Sequence, residues 1–531
     1  MSAMEQPRSL PRSAQGSAPE KAVVVGAGIG GLAAAIRLAA MGLSVTVVEA
    51  AEAPGGKARA IPSAAGPVDC GPTVLTLRHV FDALFALGGA RLEDHVTLIP
   101  QPVLARHWWP ESPTLDLFPE REANIEAIRT FAGPREADAF ARFDRLAEGL
   151  FQTFDAPVMQ AARPDLAAIA KASLARPALW PALLPGLSLT RLLRQYFRDP
   201  RLVQLFARYA TYVGGRPGHS PAVLSLIWRA EGAGVWAVAG GMHSLAAALA
   251  RLAEGMGVRF RYATRARRIV TQGGRVTGVE VEGGTLPARI CVFNGDPAAL
   301  TTGLLGEAAA RALPARASQP RSLSAWVWAF AARPHGADLI HHNVFFTEDP
   351  AAEFGPIERG EMPEKPTLYI CAEDRAALAP PEGLERFEII LNAPAGDHPH
   401  PDEEARCRTR TFQRLRRFGL TFSPDPQASS LITPAMLARR FPASEGAIYG
   451  RSPEGAMATF QRPTARTALP GLYLAGGGAH PGAGVPMAAL SGMHAAEAIR
   501  QDRTSASRSA PTATPGGIST GSATTEPARF R

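Results

Sequence analysis

Apolar positions recur along the chain with two periods, two residues for strands and 3.6 for helices, and the places where one gives way to the other mark its elements. Val23, Val24 and Val25 form a β-branched run that enters Gly26-Ala27-Gly28-Ile29-Gly30-Gly31. Leu32, Ile36 and Ala39 then follow at helical spacing until Gly42 stops them. Residues 45–48 read as a second strand ending at Glu49. A helical pattern opens at residues 80–87, and from there to about residue 238 the chain is helix-rich. Gly240-Gly241 start a helix to about Glu254. Strands are predicted at 258–262, at 267–271 and 276–282 around the Gly273-Gly274 turn, and at 288–293 before Asn294-Gly295-Asp296-Pro297. Residues 300–455 mix both periods. Trp326, Trp328 and Phe330 alternate on one strand face, where they either cover a core or floor an apolar site. Near the end, residues 472–474 lead into a glycine loop and an Ala-rich helix to about Arg500.

This order predicts an α/β fold: a Rossmann-like dinucleotide-binding domain built from residues 21–75, 239–299 and 456–500, interleaved with a substrate-binding and membrane-associating domain at 76–238 and 300–455. Residues 1–20 and 501–531 lack periodicity and are rich in Ser, Pro, Ala, Gln, Thr and Gly, so disordered tails are expected there.

Composition narrows the choice of partners. The chain has 531 residues, 46% of them hydrophobic, and carries a net charge of +8. Scattered arginines without a nucleic-acid motif favour an anionic membrane surface over RNA or DNA. No run approaches the roughly 20 apolar residues of a spanning helix, and the N-terminus lacks a secretory layout, so a cytoplasmic, peripheral location is expected. Residues 166–197 are the most apolar long segment, broken by Pro177, Pro181 and Pro185 and flanked by Lys171, Arg176, Arg191 and Arg194. Such a segment either dips into the headgroup layer or forms a buried helical hairpin. Cys70, Cys291, Cys371 and Cys407 are far apart, which suggests buried thiols and neither zinc site nor disulfide framework. His341 and His342 have no cysteine or carboxylate partner at ligand spacing and read as loop residues, so no metal is expected.

The candidate chemistry gathers at the glycines. Gly26 permits a tight turn, Gly28 lets a phosphate reach the backbone, and Gly31 lets helix pack on strand, while the helix N-terminus attracts an anion. Glu49 stands about 20 residues on, where an acid would bond a ribose hydroxyl. Gly55-Gly56 then return the backbone to the cofactor with Lys57 and Arg59 near its diphosphate, a spacing that favours FAD over NAD. The loop from Gly476 to Gly484 would place a second helix N-terminus beside a flavin ring. Trp228 and Trp236 bracket Glu231-Gly232-Ala233-Gly234, lining a tunnel or filling the core. His480, Glu231 and Asp296 are conceivable bases near these loops. None is assigned, since each reads first as a structural turn residue.

On these residues the chain resembles the bacterial phytoene-desaturase type of carotenoid oxidoreductase over nearly its full length. The resemblance rests on the unit from Gly26 to Glu49 with Gly55-Gly56, on Asp69-Cys70-Gly71-Pro72-Thr73, on Asn294-Gly295-Asp296-Pro297 and on Gly478-Ala479-His480-Pro481-Gly482-Ala483-Gly484. Residues 67–76 and 104–109 look most like the 1-hydroxycarotenoid 3,4-desaturases, also called methoxyneurosporene or hydroxyneurosporene dehydrogenases. The resemblance implies FAD in a glutathione-reductase-like flavoprotein that takes a hydride from a long polyene at a membrane and passes electrons to quinone or oxygen. The residues then assigned to FAD are Gly26, Ala27, Gly28, Ile29, Gly30, Gly31, Glu49, Ala50, Gly55, Gly56, Lys57, Arg59, Gly71, Pro72, Thr73, Ala266, Asn294, Gly478, Gly484, Val485 and Pro486. Lys57 stands where many members carry Arg, and Met487 replaces a small residue. A phytoene or neurosporene desaturase or a carotenoid isomerase or saturase of the same family, and, from another class, a flavin-free isoprenoid-binding escort protein, are the alternatives.

Overall fold

The computed structural model describes residues 19–377, 381–397, 401–455 and 457–508. Of the two expected tails, 1–18 and 509–531 lie outside the described residues. Residues 501–508 are helical, because the last helix runs Val485–Arg508 and is pinned beyond residue 500. Tyr473 Oη donates to Asp502 Oδ2 at 2.8 Å, and Arg466 donates to the same carboxylate at 3.1 Å.

Five parallel strands form the first sheet, in the order Leu472–Leu474, Ile290–Phe293, Lys21–Val25, Ser44–Val48 and Arg259–Arg261. The strand order reverses around Lys21–Val25, so the glycine turn that follows it opens at the switch point where ligands bind in open α/β sheets. Helix Ile29–Ala40 presents Gly30, Gly31, Ala33, Ala34 and Ala35, all buried, and these small residues let the helix Val485–Arg508 come close. A Cβ added to Gly492 would lie 2.2 Å from the Gly30 carbonyl oxygen. Helix His79–Leu87 packs on the same sheet, with Val80, Phe81, Leu84 and Phe85 buried in one core with Leu32 and Ile36. The predicted strands around Gly273-Gly274 form a small antiparallel sheet, Ala266–Gln272, Arg275–Val281 and Gly284–Pro287.

A mixed eight-stranded sheet dominates the remaining chain, and its long strands Ser324–His335 and Glu385–Ala393 pair with one another. Trp326, Trp328 and Phe330 are buried, and Phe412 of helix Glu403–Arg417 packs edge-on against Trp328 with ring centroids 5.2 Å apart. They cover a core. On the opposite face Ile390, Tyr369 and Val344 stand in register across three strands, under a helical layer that includes Pro134–Phe154, Leu189–Tyr196 and Pro200–Ala207. Trp228 is core to that layer and donates to Asp144 Oδ1 at 2.8 Å.

The proline-broken segment divides in two. Leu189, Leu192 and Leu193 are buried, whereas helix Leu166–Leu174 buries no residue at all. Leu166, Leu174, Trp180 and Leu184 are 57%, 69%, 48% and 58% exposed. Among the described residues, no helix is long and apolar enough to cross a membrane.

Candidate functional site

Geometry at the glycine turn follows from its lack of side chains. A Cβ on Gly31 would sit 2.1 Å from the Gly26 carbonyl oxygen, so only glycine lets this helix start directly on its strand. No side chain caps helix Ile29–Ala40, and its first N–H groups are left for an anion. Glu49 is held beside the turn: Ala27 N–H donates to its Oε2 at 2.7 Å and Ala51 N–H to its Oε1 at 2.8 Å. Asn294 reaches the same turn, Nδ2 donating to the Gly26 carbonyl at 3.2 Å. Gly28 and Gly55 pair as an isolated parallel bridge, which brings the second glycine pair against the first.

Around this turn lies a cavity of about 1660 Å³, lined by Gly26, Glu49, Ala50, Gly56, Arg59, Ala266 and Asn294 among others. Arg439 and Arg440 line it as well, from the end of helix Pro434–Arg440. They add positive charge that no motif in the sequence announces; a Thr-Pro helix start 400 residues from the glycine turn carries no phosphate signature. Lys57 is not among the lining residues. It is partly buried, donates to the Ile448 carbonyl and lies 5.5 Å from the Phe441 ring centroid; desolvation of its ammonium lowers its pKa to about 8, the nearby Asp296 carboxylate opposing the shift.

The Asp69 loop is held by contacts that its motif does not announce. Asp69 caps helix Met242–Gly255, accepting from the Met242 N–H and, at 2.7 Å, from His243 Nδ1. Cys70 N–H donates to the Arg59 carbonyl at 2.9 Å, and a Cβ on Gly71 would lie 1.9 Å from the Lys57 carbonyl oxygen. The 55–59 and 69–73 loops are therefore locked to one another. Gly71, Pro72 and Thr73 line a second cavity of about 750 Å³ together with Gly484 and Val485, while Val203, Val344, Phe346 and Ile390 make its wall largely apolar. The assigned residues that line a cavity divide between these two, the charged one at Glu49 and Arg59 and the largely apolar one at Thr73 and Val485, while others, Gly28, Gly31, Lys57 and Gly478 among them, line neither. Gly30 joins them to the C-terminal loop, since a Cβ there would meet the Gly476 N–H nitrogen at 2.6 Å.

The conceivable bases are otherwise engaged. Asp296 pairs with Arg321 at 2.6 Å, both side chains buried, and caps Ala298 N–H at 2.9 Å. His480 Nε2 bonds the Ala161 carbonyl at 2.9 Å. Glu231 is buried, which raises its pKa, and takes a bond from Tyr212 Oη at 3.3 Å. His341 and His342 are not exposed loop residues. Both are buried, His342 begins strand His342–Phe345, and Cys371 is its partner in register on the neighbouring strand. Sequence spacing could not reveal that cross-strand neighbour, 29 positions away. His342 Nδ1 bonds Tyr369 Oη at 2.7 Å, and the same hydroxyl bonds Thr73 Oγ1 at 2.7 Å.

These features fit a flavin dinucleotide: an uncapped helix start at a glycine turn, an acid fixed beside it, and cations around the larger cavity. The profile of the family described as flavin containing amine oxidoreductase matches residues 29–500. The chain is 64% identical over 487 residues to the hydroxyneurosporene desaturase of Rhodobacter capsulatus, covering 92% of this chain and 99% of that protein. It is 46% identical to the hydroxyneurosporene desaturase of Rubrivivax gelatinosus, over 95% and 98% of the two chains. Cyclohexylamine oxidase from Brevibacterium oxydans superposes with a TM-score of 0.56 at 17% identity, over 92% of this chain and 100% of that one.

Proposed function

Because the chain belongs to the flavin-containing amine oxidoreductase family, and within it to the carotenoid desaturases, we propose that it introduces the C-3,4 double bond into 1-hydroxy or 1-methoxy carotenoids such as 1-hydroxyneurosporene. The observation that carries this reading is the 64% identity to a hydroxyneurosporene desaturase across 92% of the chain, in a molecule whose dinucleotide turn is complete. FAD, when bound, supplies the hydride acceptor that an unactivated C–C bond requires. The chain's own residues bind and orient. Gly26 to Gly31 and Glu49, with Arg59, Arg439 and Arg440, would hold the dinucleotide, and Gly71 to Thr73 with Gly484 and Val485 would set it against the apolar cavity. Segments 21–75, 239–299 and 456–500, joined by helix His79–Leu87, make up the flavin-binding unit of this reading; the large sheet and its helices make up the substrate unit.

Delivery of so apolar a substrate favours peripheral attachment to a membrane. Support comes from the cluster of Leu166, Leu174, Trp180 and Leu184 on the surface, with Lys171 and Arg176 exposed among them. Attachment of this kind leaves the polyene a short path out of the bilayer.

Anaerobic turnover of the purified, lipid-reconstituted protein with FAD and 1-hydroxyneurosporene tests the reading. A red-shifted polyene with a bleached flavin band is expected. Bound flavin with desaturation of phytoene or neurosporene only would move the chain to another desaturase of the family, and isomerised polyene with no flavin bleaching to an isomerase. Failure to retain flavin at all would favour an escort protein.

A further inference from the structure

The 750 Å³ cavity has a polar feature that a pure hydrocarbon would not call for. Arg208, at the start of the 3₁₀ turn Arg208–Val213, lines its wall and is only 8% exposed. Its Nε and Nη2 have no acceptor among the described residues. The guanidinium is held in place by Tyr212, whose ring centroid lies 4.9 Å from Cζ, and by Tyr209 at 5.6 Å. Glu231 stands nearby but leaves these donors unbonded: its Oε1 takes the Tyr212 hydroxyl, and its Oε2 is itself unpartnered. A buried cation with two idle donor nitrogens is costly unless a ligand brings an acceptor.

The position of Arg208 narrows what that ligand atom is. Thr73 of the proposed flavin loop bonds Tyr369 and Tyr369 bonds His342, whose pKa is pushed down by burial, by His341 and by the charge of Arg208; Thr73, Tyr369 and Arg208 all line this cavity. Arg208 therefore faces the stretch of cavity next to Gly71–Thr73. In a 1-hydroxycarotenoid the C-1 oxygen is the one hydrogen-bonding atom at the reacting end, and C-1 is two bonds from C-3. Its oxygen is thus within about 4 Å of the reacting bond, so a donor that reads it must sit beside the flavin loops and not at the far end of the cavity.

We propose that Arg208 selects the substrate's oxygenated end, its guanidinium donating a hydrogen bond to the tertiary hydroxyl or ether oxygen on C-1 while Tyr212 positions the fork. The inference rests on the desaturase reading above. It explains discrimination by a mechanism with a known scale, since a site built to bond a substrate oxygen rejects the analogue that lacks it far more strongly than a greasy pocket rejects a missing methylene. Neurosporene, without the oxygen, would leave the buried fork unpaired.

The test compares 1-hydroxyneurosporene with neurosporene in wild type and in Arg208→Met, reading kcat/KM for each, flavin content, and polyene binding by quenching of tryptophan fluorescence. Wild type should prefer the hydroxylated polyene in both binding and turnover. In R208M, with flavin content unchanged, that preference should shrink about 100-fold or more, chiefly through the hydroxylated substrate. A preference kept within about threefold, whether or not both rates fall, overturns the proposal and leaves Arg208 a packing residue. Should R208M lose flavin, Arg208→Lys takes its place: it keeps the charge but not the rigid fork, and should cut the preference about tenfold. An unchanged preference in R208K overturns the proposal equally. A wild-type enzyme that desaturates neither polyene, or both alike, would instead remove the functional reading on which the proposal stands.

Discussion

At the scale of single residues, the glycine turn separates binding from folding. Gly31 meets a backbone oxygen that cannot move without dragging the first strand, so Gly31→Ala should cost about 3 kcal/mol or more and appear as a large fall in melting temperature and in soluble yield. Gly28 is different. A Cβ there meets only the Asn294 amide nitrogen, at 2.9 Å, the rotatable end of a side chain. Gly28→Val should therefore leave the melting temperature of the flavin-free protein within a few degrees of wild type while abolishing flavin retention, read as flavin absorbance per chain. Normal flavin content in that variant would remove the turn from the cofactor site. Glu49 holds two backbone N–H groups, and Glu49→Ala strands both; with about 1–3 kcal/mol lost, FAD affinity should fall roughly 5- to 150-fold, short of the loss at Gly28.

Elements show why some of the site was legible in the sequence and some was not. The strand, glycine turn, helix, second strand and acid from Lys21 to Glu49 are contiguous, and local physics alone determines them: β-branched residues, then glycines, then a 3.6-residue period. The C-terminal strand, loop and helix are readable for the same reason. Contacts made by register across a sheet leave no such trace. Cys371 beside His342, Asp69 capping a helix that begins at Met242, and Arg439 and Arg440 in the cavity at the glycine turn each join positions that nothing in the chain's periodicity connects. The proline-broken segment falls between these cases. Its composition suits a buried hairpin and a membrane-dipping one equally, and only the packing of Leu189–Tyr196, against the exposure of Leu166–Leu174, tells the halves apart. Leu174→Glu with Trp180→Glu should accordingly weaken sedimentation with anionic vesicles roughly 100-fold, two apolar side chains at about 1.5 kcal/mol each, with flavin content unchanged. Unaltered sedimentation would place the membrane contact elsewhere on the surface.

For the whole molecule, the seam between the nucleotide loops and the large sheet is charged and buried, and it makes stability depend on pH. Asp69 N–H donates to Glu373 Oε1 at 2.8 Å, while Arg386 spans Asp374 and Glu373, bonding Asp374 Oδ1 through Nε at 3.0 Å and approaching Glu373 Oε2 at 3.3 Å. Burial and the Asp69 charge raise the Glu373 carboxyl to about 8, outweighing an arginine whose charge is shared with Asp374. The folded state thus holds the Glu373 proton more tightly than the unfolded chain, whose carboxyl titrates near its ordinary value. Below that value both states are protonated and the seam contributes in full. Between it and pH 8 the unfolded state gains charge that the folded state cannot yet accept, and stability is lost at up to about 1.4 kcal/mol per pH unit. Above pH 8 both are ionised and the loss levels off. Glu373→Gln keeps an acceptor for the Asp69 N–H but has no proton to lose, so its melting temperature should draw ahead of wild type as pH rises from 5 to 8 and hold that lead at pH 9. A difference that stays flat across the range would mean that Arg386 keeps Glu373 ionised throughout, and that the two halves meet across an ion pair and not across a shared proton.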